Sequence, residues 1–288
     1  MGSAPAFPEP DMRRLGASEP SALKSEALHR VLRDLDRVVV AFSGGADSAL
    51  LAHAAHTLLG PDRVHVVTAV SPSLAGDERA DAAALADEWG LRWSAVETDE
   101  MTHAAYRAND ADRCAHCKEA LMDVLAPIAA AESATVVLGV NVDDLGDHRP
   151  GQKAAADRGA RFPLVEAGLT KDDVRARSRA LGLRTADKPA AACLASRVPY
   201  GTEVTVGVLS GVERAEAALR RLGFDDLRVR HHDDTARIEV PTDRLADVVE
   251  RRDAVVAAVT SSGYLYVTLD LEGLRSGNLN AALGPDGA

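Results

Sequence analysis

The chain has little cysteine, no excess of basic residues and no long apolar run, and each shortage closes off a class of function. Only three cysteines occur in 288 residues. An odd number of thiols makes poor disulfide material and reads better as metal ligands or reactive groups in a reducing compartment. Asp and Glu outnumber Lys and Arg by 44 to 33, giving a formal net charge of -11. The basic footprint that displaces counterions from nucleic acid is therefore missing. No apolar stretch approaches the roughly 20 residues that cross a bilayer. The N-terminus, with Pro5, Pro8, Pro10 and Pro20 among small and charged residues, lacks the apolar core of a signal peptide. A cytoplasmic protein that binds neither membrane nor nucleic acid is expected. Neither Gly-x-x-x-x-Gly-Lys-Ser/Thr nor Gly-x-Gly-x-x-Gly occurs, which excludes the phosphate loops those patterns mark. There is no internal repeat and no sustained heptad pattern.

What is present is Ser43-Gly44-Gly45-Ala46-Asp47-Ser48 directly after the apolar run Val38-Val39-Val40-Ala41-Phe42. A strand-to-helix turn with two glycines lets the backbone approach a ligand closely. Successive N–H groups then form an anion nest, and the following helix offers its positive end. The two seryl hydroxyls add donors, and the pattern reads as a pyrophosphate cradle rather than an ordinary glycine turn.

At 46% hydrophobic residues the chain can bury a substantial core. Apolar runs at 38–42, 64–70, 92–96 and 135–139 alternate with amphipathic stretches at about 47–59, 77–89 and 117–131. That alternation predicts an α/β fold, a doubly wound parallel sheet with helices on both faces. Ligands of such sheets bind beyond the carboxyl ends of the strands, and Ser43, Ser71 and Asn141 all follow a strand. From Val204 the order becomes helix to about 222, strands 227–231 and 236–240, helix 242–259 and strand 264–269, a smaller C-terminal α+β domain. Residues 1–20 read as a disordered arm, 21–200 as the nucleotide domain and 201–288 as the small domain, with the joint at Arg197-Val198-Pro199-Tyr200-Gly201.

Cys114 and Cys117 form Cys-Ala-His-Cys, and Cys193 lies in Ala-Ala-Cys-Leu-Ala-Ser-Arg. Three readings stand open on residue chemistry alone. One is a Cys₃His zinc site completed by His116 or another histidine. Another is an iron–sulfur cluster whose fourth iron lacks a protein ligand. The third is three unrelated buried thiols.

Ser-Gly-Gly-x-Asp-Ser after a strand resembles the PP-loop ATP pyrophosphatases, which cleave ATP to AMP and pyrophosphate and adenylate a substrate oxygen. Further motifs narrow the resemblance. These are Arg113-Cys114-x-x-Cys117-Lys118, Gly139-x-Asn141-x-x-Asp144-Leu145-Gly146-Asp147-x-Arg149-Pro150-Gly151, Pro163-Leu164-x-Glu166, Lys188-Pro189, and Cys193-Leu194-Ala195-Ser196-Arg197-x-Pro199-Tyr200-Gly201. In the C-terminal part, Gly263-Tyr264-x-Tyr266-Val267-x-Leu269-Asp270-Leu271 and Arg275-Ser276-Gly277-x-x-Asn280 join them. Over about residues 25–282 the chain is similar to the LarE family, ATP-dependent sulfur transferases of nickel-pincer cofactor biosynthesis, whose best-known user is lactate racemase.

The resemblance implies adenylation of a pyridinium-3,5-biscarboxylate mononucleotide and replacement of AMP by sulfur, twice. It implies ATP contacts at Phe42, Ser43, Gly44, Gly45, Asp47, Ser48, Ala69 and Gly139, with Mg²⁺ alongside. Catalytic roles fall on Cys193, Asp47 and Arg197, and substrate contacts on Arg113, Asp144, Arg149 and Arg197. Arg228 and Arg230, alternating on one strand and so facing one way, are implied to bind phosphate. Two sulfur chemistries belong to the family. Cys114, Cys117 and Cys193 together hold a [4Fe–4S] cluster that carries the sulfur, or Cys193 surrenders its own sulfur and becomes dehydroalanine. The full set of three cysteines favours the cluster. A hexamer is also implied. Against this stand another PP-loop amidase or tRNA thiolase, the latter opposed by the acidic charge, and a nucleotide-binding module without catalysis.

Overall fold

The computed structural model describes residues 19–145, 150–189 and 192–275. The proposed N-terminal arm, apart from residues 19 and 20, lies outside the described residues, as does Arg149. Valine-rich segments form a four-stranded sheet, because β-branched side chains suit a surface packed on both faces. Its strands are β1 (Val38–Ala41), β2 (Val64–Val70), β3 (Trp93–Glu97) and β4 (Thr135–Leu138). All pairs are parallel, in the order β3-β2-β1-β4, with Val38 of β1 opposite both Val64 and Thr135.

Alternation along the strands loads the two faces. Val38, Val40 and Val66 pack with α1 (Glu19–Leu35) and α2 (Ala46–Leu59), joined by Leu85 of α3 (Gly76–Glu88). Val39, Val67 and Val136 turn the other way, against Leu121, Met122 and Leu125 of a long helix that follows the short α4 (Ala104–Ala108). That long helix is α5 (Arg113–Ala131). It starts four residues earlier than its periodicity suggests, so Cys114 and Cys117 both sit at its N-terminal end. After β4 come α6 (Pro150–Asp157), α7 (Pro163–Glu166) and α8 (Lys171–Ala180). Thr170 opens α8 with a full capping box, its hydroxyl and the Asp173 carboxylate exchanging hydrogen bonds with each other's backbone N–H.

The C-terminal unit begins with α9 (Val206–Arg221). Then come β5 (Arg228–His232), β6 (Thr235–Glu239), α10 (Leu245–Glu250), α11 (Arg252–Thr260) and β7 (Tyr266–Leu269). β5 pairs antiparallel with β6, and β6 parallel with β7. One helix was expected over 242–259. The structure breaks it at Arg251, whose guanidinium donates to the Leu222 carbonyl and lies 5.2 Å from the Phe224 ring centroid. Around the expected joint a separate apolar cluster of Tyr106, Leu194, Ala195, Val198, Val204, Leu209 and Val212 ties α9 to the first sheet's loops.

The chain runs from β1 outward to β2 and β3, then returns to place β4 on β1's other side. Loops leaving β1 and β4 therefore diverge from one crevice, the switch point of an open α/β sheet. Gly139, just past β4, passes so close to the start of α2 that a Cβ there would lie 2.6 Å from the Ser48 nitrogen. Gly139→Ala is expected to lower stability by about 1–3 kcal/mol, read from urea or thermal unfolding. An unchanged midpoint would mean that β4 and α2 separate without cost.

Candidate active site

The turn after β1 is shaped for an anion. Gly44 has φ +70, a conformation glycine adopts without strain, and Ala82 of α3 stands 3.2 Å from where its Cβ would be. Gly45 is the N-cap of α2, and no side chain caps the helix. First-turn N–H groups thus stay available at the positive end of the helix. Ser43 Oγ and Ser48 Oγ approach to 3.1 Å, and the Ser48 hydroxyl donates to the Gly45 carbonyl at 3.2 Å. Phe42, by contrast, buries its ring in the core and meets this crevice only through its backbone. Ala69 is a partly buried position on β2.

Charged side chains from three later segments close around the turn. Asp47 accepts from Asn141 Nδ2 at 3.1 Å and pairs with the Lys171 ammonium. Asp143 accepts from the Lys171 backbone N–H at 2.7 Å, and Asp144 accepts from the Asn141 N–H at 3.1 Å. Asp144 therefore braces its own loop. Lys188 donates to the Gly44 carbonyl at 3.3 Å and sits 2.7 Å from both Glu78 and Asp81. Burial pulls the Lys188 pKa down, but the hydrogen bonds to Asp81 and Glu78 outweigh it, and the ammonium is held more firmly than usual. Asn141 stands where the strand end predicts a crevice residue, whereas nothing in the sequence singles out Lys171 beyond the Thr170 capping box that makes it the first residue of α8.

The three cysteines come together from distant parts of the chain. Cys114 and Cys193 are exposed and Cys117 is partly buried. Burial pushes the Cys117 thiol up to about 11, and nearby Cys193, Glu100 and Cys114 push in the same direction against Lys118. Tyr106 lies beneath them, its hydroxyl 2.5 Å from the buried Ser73 hydroxyl. Burial raises the Tyr106 pKa, with Cys193 the next contribution. Among the described residues no three His, Cys, Asp or Glu side chains converge on a single-ion site. His116 is turned to Glu119, at 3.1 Å.

The predicted arginines among the described residues are built into the protein rather than free in the crevice. Arg113, 5% exposed, donates to Asn109 Oδ1 and to the Ala195 carbonyl at 2.8 Å. Arg197 makes a two-point ion pair with Glu216 at 2.9 and 3.2 Å. Its remaining nitrogen reaches the Ala192 and Cys193 carbonyls at 2.7 and 3.3 Å. Arg230 is buried between Glu239 and the Ser196 carbonyl, both at 2.8 Å. Half-buried Arg228 donates to the Arg275 carbonyl at 3.1 Å. Burial lowers the Arg228 pKa, and the neighbouring Arg230 and Arg197 lower it further. Glu239 and Glu216 oppose that shift.

Burial of the Cys117 thiol predicts slow alkylation, since thiolate is the nucleophile. Cys117 should resist alkylation near neutral pH and react only as the pH nears 11, whereas Cys114 and Cys193 are open to reagent through their exposure. Mass mapping of iodoacetamide adducts between pH 7 and 10 checks this, and early labelling of Cys117 would show that its thiol is not held in the apolar pocket.

The NAD synthase family model matches residues 26–125, which contain the β1–α2 turn. An uncharacterized protein of Synechocystis sp. is 47% identical over 263 residues, 90% of this chain and 98% of that protein. The pyridinium-3,5-bisthiocarboxylic acid mononucleotide synthase of Lactiplantibacillus plantarum is 41% identical over 263 residues, covering 91% of this chain and 95% of the relative. An uncharacterized protein of Methanocaldococcus jannaschii is 24% identical over 241 residues, 83% of this chain and 91% of its own length. With a glycine-capped phosphate turn at the sheet's switch point, and similarity along almost its whole length, the chain belongs to the LarE family of pyridinium-3,5-bisthiocarboxylic acid mononucleotide synthases.

Proposed function

We propose that the protein is an ATP-dependent sulfur transferase acting on pyridinium-3,5-biscarboxylic acid mononucleotide in nickel-pincer cofactor biosynthesis. The observation that carries this reading is the combination of an uncapped, glycine-led helix end and three grouped thiols in a member of this family. In the first half-reaction a substrate carboxylate oxygen attacks the α-phosphorus of ATP and pyrophosphate leaves. The N–H groups of the Ser43–Ser48 turn, together with Ser43 and Ser48 Oγ, receive that pyrophosphate. Asp47, held by Asn141 and Lys171, is placed to take Mg²⁺ while the released ammonium turns to the phosphates. In the second half-reaction sulfur attacks the acyl carbon, AMP leaves and a thiocarboxylate remains.

Cys114, Cys117 and Cys193 would be the thiolates that hold a [4Fe–4S] cluster, a reading supported by the presence of three free thiols and by His116 being engaged with Glu119 rather than offered as a fourth zinc ligand. Held by these three thiolates, such a cluster would supply one iron without a protein ligand, to which exogenous sulfur would bind. The exposure of Cys193 supports a second reading. In it the Cys193 thiolate attacks the acyl-adenylate, and loss of the Cα proton breaks its Cβ–S bond, leaving dehydroalanine. Half-buried Arg228 would bind the substrate phosphate, with Arg230 behind it in its ion pair with Glu239, and Arg149 would border the carboxylates, while Arg113, Arg197 and Asp144 would shape that wall through the backbone they brace. A cytoplasmic homohexamer is part of the same proposal, checked by light scattering. No helix among the described residues is long and apolar enough to cross a membrane.

The test is substrate-dependent pyrophosphate release, with iron and sulfide analysis of anaerobically purified protein. Asp47→Asn should lower release by about a hundredfold or more. Wild type should carry about four irons and at least about four sulfides per chain, lost in Cys117→Ser. Metal-free protein that thiolates once, with Cys193 lighter by one sulfur, would select the second reading. Absence of pyrophosphate release with this substrate would overturn both.

A further inference from the structure

Cys193 stands at the entrance to a segment, 192–202, that has no strand and only one 3-10 turn, Leu194–Arg197. Much of it is nevertheless buried, so its carbonyl groups need partners. One side chain supplies a large share of them. Asn109 is fully buried and left-handed, with φ 60, closing the short α4 just before α5. Its Nδ2 faces the carbonyls of Val198 at 3.3 Å, Pro199 at 2.7 Å and Thr202 at 2.9 Å, three acceptors sharing two protons. On the other side its Oδ1 accepts from Arg113, which also donates to the Ala195 carbonyl at 2.8 Å. The Asn109 carbonyl accepts from the Gly201 N–H at 3.1 Å. With carbonyls on one side and a guanidinium on the other, only one orientation of the amide satisfies both.

We propose that Asn109 is a positioning residue for sulfur transfer, a clamp that fixes the Cys193 segment against the first turns of α5 so that Cys193 stands beside Cys114 and Cys117. Asn109 lies five residues before Cys114, so whatever it grips is placed relative to that helix start. Its left-handed backbone, which asparagine tolerates better than other side-chain-bearing residues, points the amide into the segment. It touches neither nucleotide crevice nor sulfur. The catalytic consequence rests on the sulfur-transfer reading, and the geometric half stands without it.

Two variants separate the clamp from the fold. Asn109→Gly keeps the left-handed backbone and removes the amide. Asn109→Asp keeps the shape and the Arg113 contact but sets a carboxylate against three carbonyl oxygens. In a Cys117→Ser background the exposed thiols of Cys114 and Cys193 are joined with dibromobimane, which fluoresces on bridging two thiols. The bridging rate should fall by about tenfold or more in both variants, as the local concentration of one thiol at the other drops, while alkylation of each thiol singly is unchanged. In the three-cysteine protein, sulfur transfer should fall with substrate-dependent pyrophosphate release preserved. Unchanged bridging would overturn the proposal. So would equal loss of adenylation and transfer, or failure of both variants to fold, either of which would make Asn109 a general support. A wild type inactive in pyrophosphate release would instead remove the enzymatic reading, and the bridging comparison would still decide the placement.

Discussion

Everything at the nucleotide crevice follows from how closely the ends of β1 and β4 approach the start of α2. Parallel pairing of both strands to the same central register fixes where their loops leave the sheet, and Gly139 lets the second pass over the first turn of the helix. That helix begins at glycine with no side-chain cap. Its uncapped N–H groups and dipole favour an anion. Beside them the acidic Asp47 and its Lys171 partner neutralise each other. Lys188, held between Glu78 and Asp81, adds a second compensated charge. Phosphate oxygens entering such a site meet dipoles already oriented, which is the form of stabilisation that needs no reorganisation during reaction.

A second constraint governs the thiols. The 192–202 segment lies between two hydrogen-bonded sheets but belongs to neither, and a buried irregular backbone is tolerable only when its polar groups are paired. Buried side chains do that pairing. Arg113 serves Ala195, Arg197 serves Ala192 and Cys193, Arg230 serves Ser196, and Asn109 serves Val198, Pro199 and Thr202. Glu216 and Glu239 balance the buried positive charge. Removing one partner from such a buried pair costs about 3–5 kcal/mol because the other charge is stranded. The arrangement therefore favours one geometry of the Cys193 segment over a loose loop. It also couples the C-terminal unit to the chemistry, since Glu216 is on α9, Arg230 on β5 and Glu239 on β6.

These arginines show where residue chemistry read along the chain is ambiguous. A guanidinium near a cysteine in a carboxylate-binding family suits a substrate contact, and Arg113 and Arg197 are adjacent to the thiols as expected. Yet their donors meet carbonyls and Glu216, a role that depends on burial and on distant partners, Glu216 lying 19 residues from Arg197 and Ala195 lying 82 from Arg113. Arg228, half-buried and held by the Arg275 carbonyl rather than by a carboxylate, keeps more of the character expected of a phosphate ligand.

The sequence by itself determined the parallel sheet, because valine runs separated by amphipathic stretches bury both strand faces under helices. It also determined the phosphate turn, a local device whose glycines, hydroxyls and following helix are contiguous. The thiol grouping was legible as a count of three, from spacing and family likeness, but not as a geometry. Only the tertiary structure decided that Lys171 meets Asp47, that Asn109 grips the Cys193 segment and that Cys117 sits in an apolar pocket while its two neighbours face solvent. Each of these depends on contacts between residues tens of positions apart, and local propensity carries no information about which distant backbone will need a donor.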